Sequence, residues 1–210
     1  MLSSFSAESS DNARDFRRET IIGVARAAFF ANGYGATSMS AIAATLGGSK
    51  TTLWGHFRGK NALFEAVIDD VLARHCGAIG TSLPPEVPVA ATLERFGAVL
   101  MSSILSTPMI ELHRLVTSEA GRFPEIAARY RARGPHAGTD RLADYLNSAM
   151  ADGRLRSGDS ATAAEQFVAL CQSRNFQRLV LGIGPAPDAD GIARDVARAV
   201  DAMLRIWGPD

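Results

Sequence analysis

Apolar residues recur at helical spacing along almost the whole chain, and this regularity narrows the possible folds more than any other feature. Between Asp15 and Asn32, Ile21, Ile22, Ala25, Ala28 and Phe29 keep to one stripe, and "NGYG" stops that helix with glycine. Ser38 is placed to cap a short second helix whose inner face is Ile42, Ala43 and Leu46. Leu46-Gly47-Gly48 then forms a turn in which Gly47 is free to take positive φ. Ser49 caps a third short helix, with Leu53 and Phe57 facing inward one turn apart. A fourth helix carries Leu63, Phe64, Val67, Ile68, Val71 and Leu72 and reaches about Cys76. "GTSLPPEVP" is the clearest break in the chain. Beyond it the spacing predicts helices over Val89–Leu105, from Pro108 to about Ala120, and from Pro124 to an interruption near Gly134-Pro135. Ala137–Ala151, Ser160–Leu181 and Asp190–Trp207 follow. No segment alternates as a strand does, so the expected fold is all-α, with about nine helices.

A chain of 210 residues with 47% apolar residues can bury a sizeable core as one domain or two small ones, which excludes wholesale disorder. No run of 18 apolar residues exists, and "MLSSFSAESSDNARD" lacks the basic and apolar regions of a secretory signal. The expectation is a cytoplasmic protein with no membrane partner and a frayed, disordered tail over residues 1–13. Cys76 and Cys171 are the only cysteines and read as two reduced thiols; a redox pair would need their sulfurs to meet. The four histidines are scattered, so neither a metal nor a cofactor is expected.

Net charge is zero but unevenly spread. Residues 14–60 hold seven bases against two acids, and the rest of the chain carries the balancing acid excess. A basic N-terminal quarter is what a localised polyanion site needs. The chemistry of the 38–60 stretch agrees. Two short helices joined by a glycine turn make a helix-turn-helix, whose second helix lies in the DNA major groove in proteins that use it so. Ser49 at the cap leaves free N–H groups for a phosphate, while Lys50, Thr51 and Thr52 occupy the first turn, within reach of base edges. Trp54 offers an apolar face and one donor, and His56 and Lys60 are placed for backbone phosphates. The alternative is a three-helix corner whose polar residues face only water.

The order of residues in "FFANGYGATSMSAIAATLGGSKTTLWGHFRGKNALF" resembles the DNA-binding domain of TetR-family transcriptional regulators. The likeness runs over residues 14–72, through the "NGY" end of helix 1, "TS" and "IA" in helix 2, "GxSKxTLWxHF" in helix 3 and Lys60 heading helix 4. It implies a homodimer on a palindromic DNA operator, with Ser38, Lys50, Thr51, Thr52, Trp54, His56 and Lys60 as contacts, released by a small-molecule inducer. Three departures stand out: Gly48 where the family usually has Val, Trp54 for the usual Tyr, and Gly59 and Asn61 at the start of helix 4. Residues 88–210 resemble the AefR-like C-terminal domain, carried by "ELHRLVTSEAGRFPEIAARYRARGP", "ADGRL" and "AAEQF". The domain expectation is therefore a DNA-binding helix-turn-helix domain over 14–60 and a ligand-binding and dimerisation domain over 61–210.

Inward-stripe residues that are not plain aliphatics are the candidates for an inducer pocket: Phe96, Met101, His113, Phe123, Phe167, Cys171 and Phe176. Arg114 joins them as a polar contact unless it pairs with Glu111 or Glu119. The last two helices pack against their copies in the family, which makes Phe167, Leu170, Arg174, Val196, Val200 and Met203 candidates for the dimer face; the alternative is burial within one protomer. A ligand-dependent activator, or an all-α binding protein or enzyme without DNA, are the competing readings. No catalytic motif supports an enzyme.

Overall fold

The computed structural model describes the backbone of residues 3–47, 50–79, 83–134 and 136–209, and their side chains except at 3–14 and 50–52. Every regular element among these residues is a helix. The first seven are α1 (Ser3–Ala36), α2 (Met39–Thr45), α3 (Lys50–His56), α4 (Lys60–Cys76), α5 (Val89–Ile104), α6 (Thr107–Glu119) and α7 (Pro124–Arg133). They are followed by α8 (His136–Ala151), α9 (Ser160–Gln172), α10 (Phe176–Val180) and α11 (Ala189–Trp207). The all-α expectation holds, with eleven helices where about nine were expected.

Two elements differ from the sequence reading. Helix α1 begins at Ser3, inside the stretch expected as a tail; residues 3–14 contain neither Gly nor Pro to stop a helix. The single helix expected over 160–181 is two. Ser173 directs both its N–H and its hydroxyl to the Leu170 carbonyl, at 3.3 and 2.8 Å, and the Asn175 amide donates to Asp195. Side chains that compete for backbone partners in this way end α9 at Gln172.

The chain forms two compact units, one of Met1–Val71 with Leu115–Ala127, the other of Leu72–Arg114 with Ala128–Asp210. Helices α4, α6 and α7 therefore contribute residues to both. The first unit is built on Ile21, Ala25, Phe29, Ile42, Leu53, Leu63, Phe64 and Val67, all buried. Four aromatic rings close it: Phe29 meets Phe64 edge-on at 4.8 Å, and Tyr34 lies 4.7 Å from both Phe64 and Phe123.

The second unit packs α5, α8, α9 and α11 around Leu93, Leu100, Leu142, Leu146 and Phe167. Helix α11 is anchored by Asp188, whose carboxylate accepts the Gly191 N–H at 2.8 Å. It buries Val196, Ala199, Val200 and Met203, the i, i+3, i+4, i+7 stripe that one helix face requires. Its approach to α5 depends on Gly97. A Cβ there would lie 2.6 Å from Val196 Cγ1 and 3.3 Å from Phe167 Cζ. No single helix among the described residues is long and apolar enough to cross a membrane.

Gly97→Val should therefore lower stability by about 1–3 kcal/mol through overpacking, read as a shift of the urea midpoint without a change of slope.

Candidate nucleic-acid interface

The helix-turn-helix is assembled by short-range chemistry. Ser38 takes an extended conformation, and its Oγ accepts the Ala41 N–H at 3.1 Å, fixing the start of α2. At the other end the Leu46 and Gly47 N–H groups return to the Ile42 and Ala44 carbonyls, and Gly47 adopts φ 62°. Gly48 and Ser49 lie outside the described residues, and with them the expected Ser49 cap and its phosphate contact. Helix α3 then sinks Leu53 and, just past its end, Phe57, which are 2% and 5% exposed. Trp54 is 52% exposed on the opposite side and His56 is half-buried. Lys50, Thr51 and Thr52 form the first turn of α3, but their side chains are outside the description. The Arg18 guanidinium of α1 covers the Phe57 ring at 5.4 Å, which brings a cation to the end of α3.

Lys60 is held by the protein itself. Its ammonium donates to the Tyr34 carbonyl at 2.8 Å and the Gly35 carbonyl at 3.3 Å, and sits 4.3 Å from the centre of the Tyr34 ring. These are the carbonyls left open where Gly33, at φ 80° and ψ 165°, breaks α1. The freed Gly35 N–H is taken by Glu119 Oε1 at 2.9 Å. Burial, followed by Glu125, Glu119 and Glu65, pushes the Tyr34 phenol above its ordinary range.

The second unit holds a cavity of about 330 Å³. Its inner lining includes Ile104, His113, Tyr130, Thr139, Gln172 and Phe176, and its exposed edge includes Arg131, His136 and Glu165. The His113 ring meets Phe176 edge-on at 4.9 Å and lies 6.0 Å from Tyr130. Burial lowers the His113 pKa, so the ring is neutral at pH 7. Burial, with a smaller contribution from Cys76, pushes Tyr130 up to about 12. Among the described residues no group of three His, Cys, Asp or Glu side chains gathers as a metal site.

Residues 21–67 match the bacterial regulatory proteins of the tetR family. Residues 91–209, more than half of the chain, match the C-terminal domain of AefR-like transcriptional repressors. The chain belongs to the TetR family. It is a DNA-binding transcriptional regulator. Solved structures of family members share its fold. The flavonoid-responsive regulator FrrA is 28% identical, with a TM-score of 0.76 over 93% of this chain and 98% of its own. A TetR-family regulator from Pseudomonas syringae pv. tomato is 26% identical, with a TM-score of 0.75 over 92% and 98%. One from Mesorhizobium loti, at 22% identity, has a TM-score of 0.75 over 93% and 98% and speaks for the fold alone. No protein of curated function matches.

In this TetR-family regulator the pocket candidates do not all meet. His113 and Phe176 line the cavity. Phe96, Met101, Phe167 and Cys171 are packed into the core of the second unit, because large apolar groups on inward stripes fill space before they line it. Phe123 belongs to the first unit, against Tyr34. Arg114 pairs with neither Glu111 nor Glu119: its guanidinium donates to the Val180 carbonyl at 2.8 Å and to that of Leu179. Sequence reasoning missed Tyr130, Thr139 and Gln172. The signal was the interruption in "YRARGPHAGTD", since a helix break is where side chains stop filling the core.

The dimer candidates separate in the same way. Phe167, Val196, Val200 and Met203 are at most 4% exposed in the single protomer, so their area is already used. Leu170 is half-buried, and Arg174 is exposed with Nε 3.8 Å from Asp195. The two cysteines are free thiols. Cys171 is buried and pushed up to about 12; Cys76 accepts from Ser103 Oγ at 3.8 Å.

Two outcomes follow. Glu119→Ala, which strands the Gly35 N–H, should cost about 1–3 kcal/mol in chemical denaturation, and Glu119→Gln should recover most of it. The pKa of His113 is lower folded than unfolded, so the stability it contributes is present above pH 6.5 and declines as pH falls below it. His113→Gln should flatten that part of the stability–pH curve.

Proposed function

We propose that the protein is a homodimeric repressor that binds a palindromic operator and leaves it when a small molecule occupies the cavity of the second unit. The observation that carries this reading is the Ser38-capped α2, the Gly47 turn and the outward Trp54 of α3, joined in one chain to an AefR-like repressor domain. In this reading residues 14–60 bind DNA and residues 61–210 bind ligand and dimerise, in the cytoplasm. Lys50, Thr51 and Thr52 read base edges, Trp54 meets a thymine methyl or sugar, and Ser38, Ser49 and His56 contact phosphates. Lys60 has spent two of its three donors on the end of α1, which leaves one N–H for a phosphate and makes it chiefly a positioning group.

The dimer face in this reading is the outward surface of α9, the turn after it and α11, where Leu170 and Arg174 remain available. The flavonoid response for which FrrA is named supports the release step.

Selection of bound fragments from genomic DNA, followed by footprinting, tests the reading. A palindromic site near the protein's own gene is the expected result. Affinity should fall roughly 10³-fold or more between 50 and 200 mM salt if the dimer neutralises about six or more phosphates. Lys50→Ala combined with His56→Ala should abolish footprinting while sedimentation still reports a dimer. Protection that persists in the double variant places the recognition surface elsewhere.

A further inference from the structure

The cavity's inner polar groups share an unusual property. His113, Tyr130, Thr139 and Gln172 are all buried or half-buried, yet none has a side-chain hydrogen-bond partner among the described residues. Their polar atoms open onto the cavity and are not sealed in protein, so whatever fills the cavity must satisfy them. The four, from α6, α7, α8 and α9, converge on one space that holds no protein atom.

Their chemistry is uniform. A tyrosine hydroxyl, a threonine hydroxyl, a glutamine amide and a neutral imidazole each offer both a donor and an acceptor, and none carries charge. A ligand hydroxyl, which also donates and accepts, can satisfy any of them. A carboxylate or phosphate only accepts, and inside the cavity it would lose water without gaining a cation. The charged lining residues, Arg131 and Glu165, are exposed and of opposite sign.

Shape adds a second constraint. His113, Phe176 and Tyr130 set three rings around the space, with His113 at 4.9 and 6.0 Å from the other two and planes crossing at 70° and 60°. Walls of crossed rings suit another planar ring, which finds edge and face contacts at once. Ile104 and Val168 supply aliphatic surface beside them. A volume of about 330 Å³ lies at the small end of the ligand-pocket range, roughly 300–1,000 Å³.

We propose that the cavity takes an uncharged, hydroxylated aromatic molecule of one or two rings, its ring between His113, Tyr130 and Phe176 and its hydroxyl on Tyr130, Thr139 or Gln172. Its role as the inducer rests on the repressor reading above; its chemical class rests on the cavity alone.

Three probes of nearly one shape isolate the chemistry: 2-naphthol, 2-naphthoate and naphthalene, titrated calorimetrically at pH 7 into the full-length protein. Naphthol should bind at least about tenfold tighter than either of the others. Naphthoate buries an unpaired charge, and naphthalene leaves the polar groups unmatched. Tyr130→Phe and Gln172→Leu should erase the naphthol preference by weakening naphthol and tightening naphthalene, a pattern that a damaged fold does not give. Tightest binding by naphthoate, equal binding by naphthalene, or binding by none of the three overturns the proposal.

Operator retention measured with the same probes separates this inference from the reading beneath it. Naphthol that binds selectively but leaves the operator occupied supports the ligand class and removes the release step. Release by naphthoate alone overturns the class and leaves the release step standing.

Discussion

The first unit, which carries the helix-turn-helix, depends on how one break in a helix is closed. Gly33 turns α1 aside and exposes the Tyr34 and Gly35 carbonyls together with the Gly35 N–H. Lys60 answers the carbonyls and Glu119 answers the N–H, so the start of α4 is tied to Tyr34 and Gly35 and the end of α6 to Gly35 alone. Thr37 adds a hydroxyl bond of 2.7 Å to the Gly33 carbonyl. Beside this polar knot, Phe29, Phe64 and Phe123 pack against the Tyr34 ring. Either layer alone would be weak: the hydrogen bonds are short-lived when wet, and the rings fix no direction.

The second unit solves the opposite problem. Its core is almost entirely apolar, and helix contact at Gly97 is close enough to exclude even a methyl group. Close packing of that kind leaves little room for function. Room appears where helices are interrupted, between α7 and α8 and between α9 and α10, and it is there that His113, Tyr130, Thr139 and Gln172 find space in front of them.

How far the sequence foretold this differs by length scale. Ser38 as a cap, Gly47 at positive φ, and Leu53 with Phe57 as the inward pair of α3 were all legible, because each depends on neighbours within a turn or two. The family was legible from the order of residues in 14–72, a string that later comparison bears out. The partners of Lys60 and Arg114 were not. Each side chain reaches a carbonyl, 25 or 26 residues away for Lys60 and 65 or 66 for Arg114, and a carbonyl has no sequence signature because every residue carries one. The cavity escaped for a related reason. Periodicity reports which face of a helix turns inward but not whether that face meets another side chain or a void, so Phe96, Met101, Phe167 and Cys171 read the same as His113 and Phe176.

Helix α3 divides its labour in a way that bears on how such proteins diverge. Two side chains, Leu53 and Phe57, hold it to the unit, while Trp54 and Gly55 stand outside. Exchanges on the outer side cost little folding free energy, typically within about 0.5 kcal/mol either way. If the outer side reads DNA as proposed, gene duplicates of this chain can drift to new operators one substitution at a time without passing through an unfolded ancestor, so long as the two anchors stay. With the DNA contacts proposed above, the same arrangement leaves the protein's history of target choice written on one side of a seven-residue helix, and its history of folding on the other.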